Sequence, residues 1–186
     1  MRFNSLTIDD FYENPMEVRE FALKQEFKEG SHFPGRRTES FLNDSVKQTL
    51  QDFVRPFGGN VTWWGDENSG AFQYTTSFDR SWIHVDARTS WAGVLYLTPD
   101  APVSAGTGLF RFKETKERVW PDADVKGPHN SYQVDYTKWE MVDRIGNVYN
   151  RLILYRGDLF HVSLDYFGQN IEDGRLFQTF FFNTEY

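Results

Sequence analysis

The chain has 186 residues and a mass of 21.9 kDa, which suits one compact unit with a single core. Hydrophobic residues make up 39% of the sequence and aromatic residues 18%, so the chain has the large side chains that a packed core needs, which argues against disorder. The formal net charge of -7 and the pI near 5.1 disfavour binding to a phosphate backbone, and we expect no nucleic-acid partner.

The sequence contains no cysteine, so any transition metal must be bound by histidine, aspartate or glutamate. Disulfide bonds and thiolate metal sites are excluded for the same reason. The first ten residues lack a basic segment followed by an apolar one, and no uncharged apolar run reaches the length of about 18 residues that a membrane span needs. We therefore expect a soluble, cytoplasmic protein with no membrane partner.

The N-terminal part predicts two helices. Apolar residues recur at spacings of three and four between residues 9 and 28, so we predict a helix from about Pro15, with Asn14 as its N-cap and the proline at the first helical position. Residues 31–38 contain a Pro-Gly pair and predict a loop. A second apolar stripe predicts a helix over residues 39–54.

After residue 56 the sequence becomes rich in β-branched and aromatic residues, in short runs separated by Gly, Pro, Asp and Asn. We predict strands at residues 61–64, 71–78, 91–98, 108–112, 138–145, 151–155, 159–164 and 175–183. Helices followed by many short strands favour a mainly β fold with N-terminal helices, either a double-sheet jelly roll or a closed barrel, over alternating βαβ units. Because no linker or repeat occurs, we expect a single domain over residues 1–186, helical at about 9–54 and β-rich at about 57–186.

The histidines are the natural place to look for a metal site. His84 and Asp86 are separated by one residue, and in an extended segment both side chains point to the same face. A further imidazole from a distant strand would complete the set of two histidines and one carboxylate that suits non-heme iron(II) and oxygen chemistry. The pair alone also occurs by chance in chains of this length, and a local hydrogen bond between the two side chains is the alternative.

His161 and Arg175 are the other two candidates. His161 lies where a turn leads into a strand, a position that structural histidines also occupy. In the last predicted strand the alternation puts Arg175, Phe177, Thr179 and Phe181 on one face. A guanidinium among buried aromatic rings is costly unless it meets an anion, and its planar donors match a carboxylate. An ion pair with an aspartate or glutamate is the structural alternative.

The order His84-x-Asp86, then His161, then Arg175 in the last strand resembles the 2-oxoglutarate- and iron(II)-dependent dioxygenase superfamily. More closely, the chain is similar to small oxygenase-like proteins of marine phages and bacteria that are distantly related to prolyl 4-hydroxylases. The segments that carry this second resemblance span most of the chain: residues 33–38, 91–99, 106–110, 150–161 and 174–182. In the first of them, Arg36 and Arg37 face either substrate or solvent.

The resemblance implies a double-stranded β-helix, which is a jelly-roll, cupin-like fold. It implies that His84, Asp86 and His161 bind iron(II), that Arg175 holds the distal carboxylate of 2-oxoglutarate, and that Tyr74 is a second co-substrate contact, with a core aromatic as the alternative for Tyr74. The implied reaction is hydroxylation of an unidentified substrate by O2, with release of succinate and CO2. Two features depart from relatives: position 175 is arginine where prolyl hydroxylases have lysine, and no serine follows two positions later.

Two other functions stay open. A cupin-like metal enzyme such as an isomerase would use a similar fold without 2-oxoglutarate, but it would not need Arg175. A non-catalytic binding module would keep the fold, but loss of activity usually removes a metal ligand first, and all four residues are present.

Loop features complete the prediction. We expect His32 and His129 to be exposed loop histidines and residues 113–118 to be a solvated segment of mixed charge. Residues 122–130 predict a mobile loop, which could form part of a substrate lid.

Overall fold

The computed structural model describes residues 3–65, 68–120, 122 and 125–186. The helices are α1 (Pro15–Leu23), α2 (Asp44–Gly58) and α3 (Pro128–Ser131), with a 3-10 turn at Tyr136–Lys138. The strands are β1 (Ser5–Ile8), β2 (Lys28–Glu29), β3 (Arg36–Ser40), β4 (Asn60–Trp64), β5 (Ala71–Thr75), β6 (Trp91–Tyr96), β7 (Thr107–Phe112), β8 (Trp139–Ile145), β9 (Leu152–Arg156), β10 (His161–Ser163) and β11 (Arg175–Glu185).

The larger sheet is built around the last strand. In the described part of the chain its order is β1-β9-β6-β11-β5-β3-β2, and all of its pairings are antiparallel. β6 pairs with one edge of β11. The other edge of β11 pairs with β5 near its start and with β4 near its end. Residues 175–180 of β11 are all buried, so this strand forms the centre of the sheet.

The smaller sheet has the order β10-β7-β8, also antiparallel. It faces the larger sheet, and the two are joined by an apolar cluster that includes Tyr96 and Phe177 from the larger sheet and Leu109 from the smaller. An isolated β-bridge pairs His84 with His161, so the segment that precedes β6 lies beside β10. The fold is therefore mainly β, with two antiparallel sheets and few helices.

Helices α1 and α2 cover the outer face of the larger sheet. Ala22, Leu50 and Val54 are fully buried there against sheet residues such as Leu95 and Phe180. Truncating a buried leucine of this kind to alanine typically costs about 2–5 kcal/mol. Because the helices seal this face, the opposite face of the sheet is the one left to line a cavity.

The N-terminal segments differ from the prediction in their bounds. α1 begins at Pro15 but ends at Leu23, and Asn14 makes no side-chain cap. α2 begins at Asp44 because the Asn43 side chain accepts a 3.0 Å hydrogen bond from the Val46 amide and so fixes the start of the helix there.

Three strands were not predicted from the sequence: β1 precedes the predicted helical region, and β2 and β3 lie within it. The predicted loop at residues 31–38 ends at Gly35, because Arg36 already belongs to β3. All three strands are short, β2 and β3 are polar, and β3 pairs with β5, which lies more than thirty residues away in the sequence. The spacing of apolar residues is a local signal, so it does not predict pairing with a distant strand.

All eight predicted strands are present, and their ends shift by a few residues. β5 ends at Thr75 rather than at residue 78, because the Asp79 carboxylate accepts a 2.7 Å hydrogen bond from the Thr76 amide and turns the chain. Among the described residues, no helix combines the length and apolar character that crossing a membrane requires.

Candidate metal centre and its cavity

His84, Asp86 and His161 come together between the two sheets. One ligand atom from each lies within 4.8 Å of the other two. His161 begins β10, and two 3.0 Å backbone hydrogen bonds join it to His84 in the connection between β5 and β6. The Asp86 amide donates a 2.6 Å hydrogen bond to the Gly157 carbonyl. Backbone hydrogen bonds thus position all three residues.

Both imidazole rings are oriented by backbone carbonyls. Nδ1 of His84 lies 2.9 Å from the Trp82 carbonyl oxygen, and Nδ1 of His161 lies 2.9 Å from that of Leu159. Because a carbonyl only accepts, each Nδ1 carries a proton and donates, so Nε2 is the nitrogen of each ring that can bind a metal ion. His161 Nε2 lies 3.3 Å from the Asp86 carboxylate. Either a proton or a metal ion can bridge these two atoms.

Electrostatics favour the metal-binding protonation states. Burial, and then the neighbouring His161 ring, lower the pKa of His84 to about 4, so its imidazole is neutral at neutral pH. Burial raises the pKa of the Asp86 carboxyl, but His161, His84 and Arg37 together outweigh that effect and leave the pKa below its ordinary value. The site therefore offers a neutral nitrogen and a carboxylate to an ion.

The three residues line a cavity of about 540 Å³ that opens to solvent. On the side of the larger sheet, the lining consists of Gln73 from β5 and Phe177, Thr179 and Phe181 from β11. This volume falls in the range of about 300–1,000 Å³ that is typical of small-molecule sites.

Arg175 is fully buried beside this cavity. Its Cζ lies 4.4 Å from the centre of the Phe177 ring and 6.0 Å from that of Tyr166, and both rings line the cavity. Nε donates a 3.1 Å hydrogen bond to the Ala105 carbonyl, but neither Nη1 nor Nη2 has a hydrogen-bond partner within the described residues. The structural alternative, an ion pair with an acidic residue, is likewise absent from the described part of the chain.

Tyr74 lies on the opposite face of β5, away from the cavity. Its ring packs edge-on against Phe27 at 5.1 Å, and its hydroxyl accepts a 3.1 Å hydrogen bond from Arg36. The position fits the alternative of an aromatic packed against the core, and it does not support the predicted contact with a co-substrate. The neighbouring residue, Gln73, faces the cavity instead.

The sequence left open where Arg36 and Arg37 point, and the structure separates them. Arg36 forms an exposed ion pair with Glu29 at 2.8 Å. Arg37 lines the cavity with Gln73 and Asn68. Adjacent residues of a strand point to opposite faces, so this division would have followed from the sequence had β3 been recognised as a strand.

The remaining histidines and loops are placed as follows. His32 is exposed at the cavity mouth. The prediction of an exposed His129 is wrong, because that side chain is buried against Trp120 and Phe160 in the turn formed by α3. Of the predicted loop at residues 122–130, residues 123 and 124 lie outside the described part of the chain.

Solved structures with a similar fold are iron- and 2-oxoglutarate-dependent enzymes. HygX from Streptomyces hygroscopicus, with nickel, 2-oxoglutarate and hygromycin B bound, matches with a TM-score of 0.65 at 12% identity, over 95% of this chain and 81% of HygX. A prolyl hydroxylase from Trichoplax adhaerens, in complex with a hypoxia inducible factor peptide fragment, matches with a TM-score of 0.56 at 12% identity, over 96% of this chain and 83% of the enzyme.

The non-heme α-ketoglutarate-dependent epimerase SnoN from nogalamycin biosynthesis matches with a TM-score of 0.57 at 12% identity, over 97% of this chain and 78% of SnoN. At this identity the likeness shows a shared fold, the jelly-roll-like fold of iron- and 2-oxoglutarate-dependent oxygenases.

The chain belongs to the family of unknown function DUF6445, whose model matches residues 3–182. No curated protein matches the sequence significantly.

Proposed function

We propose that this protein is an iron(II)- and 2-oxoglutarate-dependent oxygenase, built on a double-stranded β-helix, that hydroxylates a small substrate. One observation carries the proposal: a set of two histidines and one carboxylate lies at a cavity flanked by a buried arginine whose terminal nitrogens lack partners among the described residues. Each feature alone has a structural explanation. Together they match a metal ion and a dicarboxylate co-substrate.

His84, Asp86 and His161 are the proposed ligands of the iron. Two imidazoles and one carboxylate with further coordination positions open are the set that non-heme iron(II) oxygenases use. The neutral imidazole of His84 and the ionised Asp86 fit such an ion, because ligands must be deprotonated before they bind. Each histidine also has the hydrogen bond at Nδ1 that keeps metal-binding rings in place.

Arg175 is the proposed anchor of 2-oxoglutarate. Burying a guanidinium without an anion costs free energy. The two terminal nitrogens of Arg175, which lack partners among the described residues, are suited to bidentate binding of a carboxylate. The rings of Phe177 and Tyr96, whose centres lie 4.4 and 5.3 Å from Cζ, form an apolar wall around that cation and keep it from water.

Bound iron and 2-oxoglutarate would supply oxidation of the substrate by O2, with release of succinate and CO2. The chain's own residues position and shield these groups. The backbone carbonyls of Trp82 and Leu159 hold the two ligand rings, and Tyr155 packs against His161 with ring centres 4.6 Å apart. This packing limits the motion of the ligands and excludes water from one side of the centre.

The similar structures support the same proposal. HygX was solved with nickel and 2-oxoglutarate bound, and it was also solved with iron bound. The three similar enzymes act on chemically different molecules, as the bound hygromycin B, the peptide fragment and the nogalamycin pathway indicate. The fold therefore supports the cofactor pair and leaves the substrate to the lining of the cavity.

Succinate production tests turnover. We expect wild-type protein with iron(II), 2-oxoglutarate and O2 to release succinate slowly without added substrate, measured by mass spectrometry. His161→Ala and Arg175→Met should reduce the rate by at least about 100-fold, because metal ligands and the co-substrate anchor are both required. The exposed Arg36→Gln variant serves as a control. Metal and 2-oxoglutarate binding without any succinate would favour the non-catalytic module instead.

A further inference from the structure

A second arginine, Arg37, faces the same cavity at a different place. In the register of the larger sheet, Arg37 lies opposite Gln73, and Gln73 lies opposite Phe177. Arg175 is two residues farther along β11. With strands about 4.8 Å apart and about 3.3 Å per residue, the backbones of the two arginines are roughly 12 Å apart. Arg37 itself lines the cavity, whereas Arg175 is buried behind the lining residues Phe177 and Tyr166.

Neighbouring side chains fix Arg37 in place. Nε and Nη2 donate hydrogen bonds of 2.9 and 2.6 Å to the Gln73 side-chain oxygen, and Nη1 donates one of 2.6 Å to that of Asn68. Gln73 is itself oriented by a 2.7 Å hydrogen bond to the Pro34 carbonyl. Cζ lies 4.0 Å from the centre of the Phe33 ring, which supports one face of the guanidinium. An arginine held in this way is preorganised for a ligand.

Among the residues that the structure describes, the charge of Arg37 lacks an adjacent counter-ion. Gln73 and Asn68 are neutral, and no ion pair within 4.0 Å involves Arg37 in the described ranges of the chain. The three hydrogen bonds use three of its five N–H groups, which leaves one on each terminal nitrogen. Burial lowers the pKa of Arg37 to about 10, partly offset by the Asp86 charge, so the group stays cationic at neutral pH.

The sum of charges in a site that holds iron(II) and 2-oxoglutarate also favours an anion beside Arg37. Iron(II), the Asp86 carboxylate, the 2-oxoglutarate dianion and the Arg175 guanidinium sum to no net charge. Within the described residues, Arg37 then adds one positive charge to the cavity, and this charge favours an anion beside it. The Asp86 carboxylate does not neutralise Arg37 in this sum, because its charge is already counted against that of the metal ion.

We propose that Arg37 binds a carboxylate of the substrate, an inference that rests on the proposed oxygenase function. The substrate class is a small carboxylic acid with an apolar or aromatic part, because Phe33, Trp63, Trp82 and Phe181 line the same cavity. A carboxylate accepts one hydrogen bond from each terminal nitrogen of an arginine, and Arg37 has one N–H left on each.

Binding of matched probes tests this inference. Protein loaded with Ni(II) and 2-oxoglutarate is titrated by calorimetry with 3-phenylpropanoate, with its amide 3-phenylpropanamide, and with 2-phenylethylphosphonate. We expect wild type to bind the carboxylate at least about tenfold more tightly than the amide. Arg37→Gln should remove that preference, while its affinity for 2-oxoglutarate stays within twofold of wild type. Arg36→Gln, on the outward face of the same strand, should behave as wild type.

The possible failures are distinguishable. If wild type binds neither Ni(II) nor 2-oxoglutarate, the proposed function fails. If both bind but the carboxylate does not bind, binds no better than the amide, binds more weakly than the phosphonate, or binds equally well to Arg37→Gln, the inference about Arg37 is overturned. Should Arg37→Gln fail to fold, Arg37→Met removes the same charge and donors, and an unchanged preference for the carboxylate in that variant would contradict the inference.

Discussion

At the scale of single residues, two buried arginines have opposite surroundings. The terminal nitrogens of Arg19 in α1 donate hydrogen bonds of 2.9 and 2.7 Å to the carbonyls of Leu97 and Glu172. Those of Arg175 have no partner among the described residues. Arg19 therefore ties α1 to the sheet, whereas the terminal nitrogens of Arg175 are without partners in the described part of the chain, which we expect to cost free energy in the ligand-free protein.

This contrast predicts opposite effects of the same substitution. Arg175→Met should stabilise the ligand-free protein by about 1 kcal/mol, or roughly 3 °C in Tm, because it removes a buried cation that has no anion. Arg19→Met should destabilise it by about 2 kcal/mol, because the buried carbonyl of Leu97 and the partly buried carbonyl of Glu172 lose their donors. Thermal and urea denaturation measure both. A loss of stability in Arg175→Met equal to that in Arg19→Met would show that Arg175 is a structural residue.

The residues of the candidate centre were predictable because their chemistry is rare. Without cysteine, a metal site has to use histidine and carboxylates, and the choice of His84, Asp86 and His161 came from the resemblance to the dioxygenase superfamily. The prediction of a co-substrate contact for Tyr74 came from the resemblance to oxygenases, and alternation puts Tyr74 on the face of β5 opposite to Gln73. β5 is covered on both faces, so burial alone does not show which face lines the cavity.

At the scale of elements, the turn after β9 supports the segment that carries Asp86. Gly157 accepts a hydrogen bond from the Asp86 amide and donates one to the Ser90 carbonyl. A Cβ on Gly157 would lie 2.5 Å from the Asp86 carbonyl oxygen and closer still to that of Thr89. Both contacts are with backbone, so the segment would have to move.

Gly157→Ala should therefore weaken metal binding by about tenfold or more, because residues that orient a ligand typically contribute that much. Titration with Ni(II) or iron(II) measures the change. Gly146→Ala is the matched control, since its added Cβ meets the exposed side chain of Val103, which can rotate away. Equal metal affinity in both variants would contradict this role of Gly157.

Strand positions were predictable and strand partners were not. The runs that form β6, β9 and β11 are apolar and bounded by turn residues, so their sequence signal is local. The sequence of β3 is polar, and its strand conformation depends on pairing with β5. The start of α2 depends on the side chain of Asn43. Such features are set by contacts that apolar spacing does not record.

At the scale of the whole molecule, the site draws on both sheets. His161 belongs to the smaller sheet and Arg175 to the larger, while His84 and Asp86 lie in the connection between β5 and β6. The sheet order that brings them together comes from distant pairings, so the sequence predicted the members of the site but not the way the sheets assemble it.

Because the site bridges these parts, its ligands should stabilise the entire fold. At about 100 times its dissociation constant, a metal ion adds roughly 2.7 kcal/mol, or about 5–10 °C in Tm for a chain of this size. We expect 2-oxoglutarate to add a further increase only when metal is present. Thermal melts of wild type and His161→Ala measure this, and an equal shift in both proteins would place the metal elsewhere.

The most direct test of the account is an anaerobic titration of the protein with iron(II) and 2-oxoglutarate, followed by visible absorption. The account predicts a metal-to-ligand charge-transfer band in wild type and in Arg36→Gln. The band should be absent in His161→Ala, and in Arg175→Met it should require at least about 100-fold more 2-oxoglutarate, because the anchoring charge is lost. No band in wild type, or full iron affinity in His161→Ala, would contradict the assignment of His84, Asp86 and His161 as the metal centre.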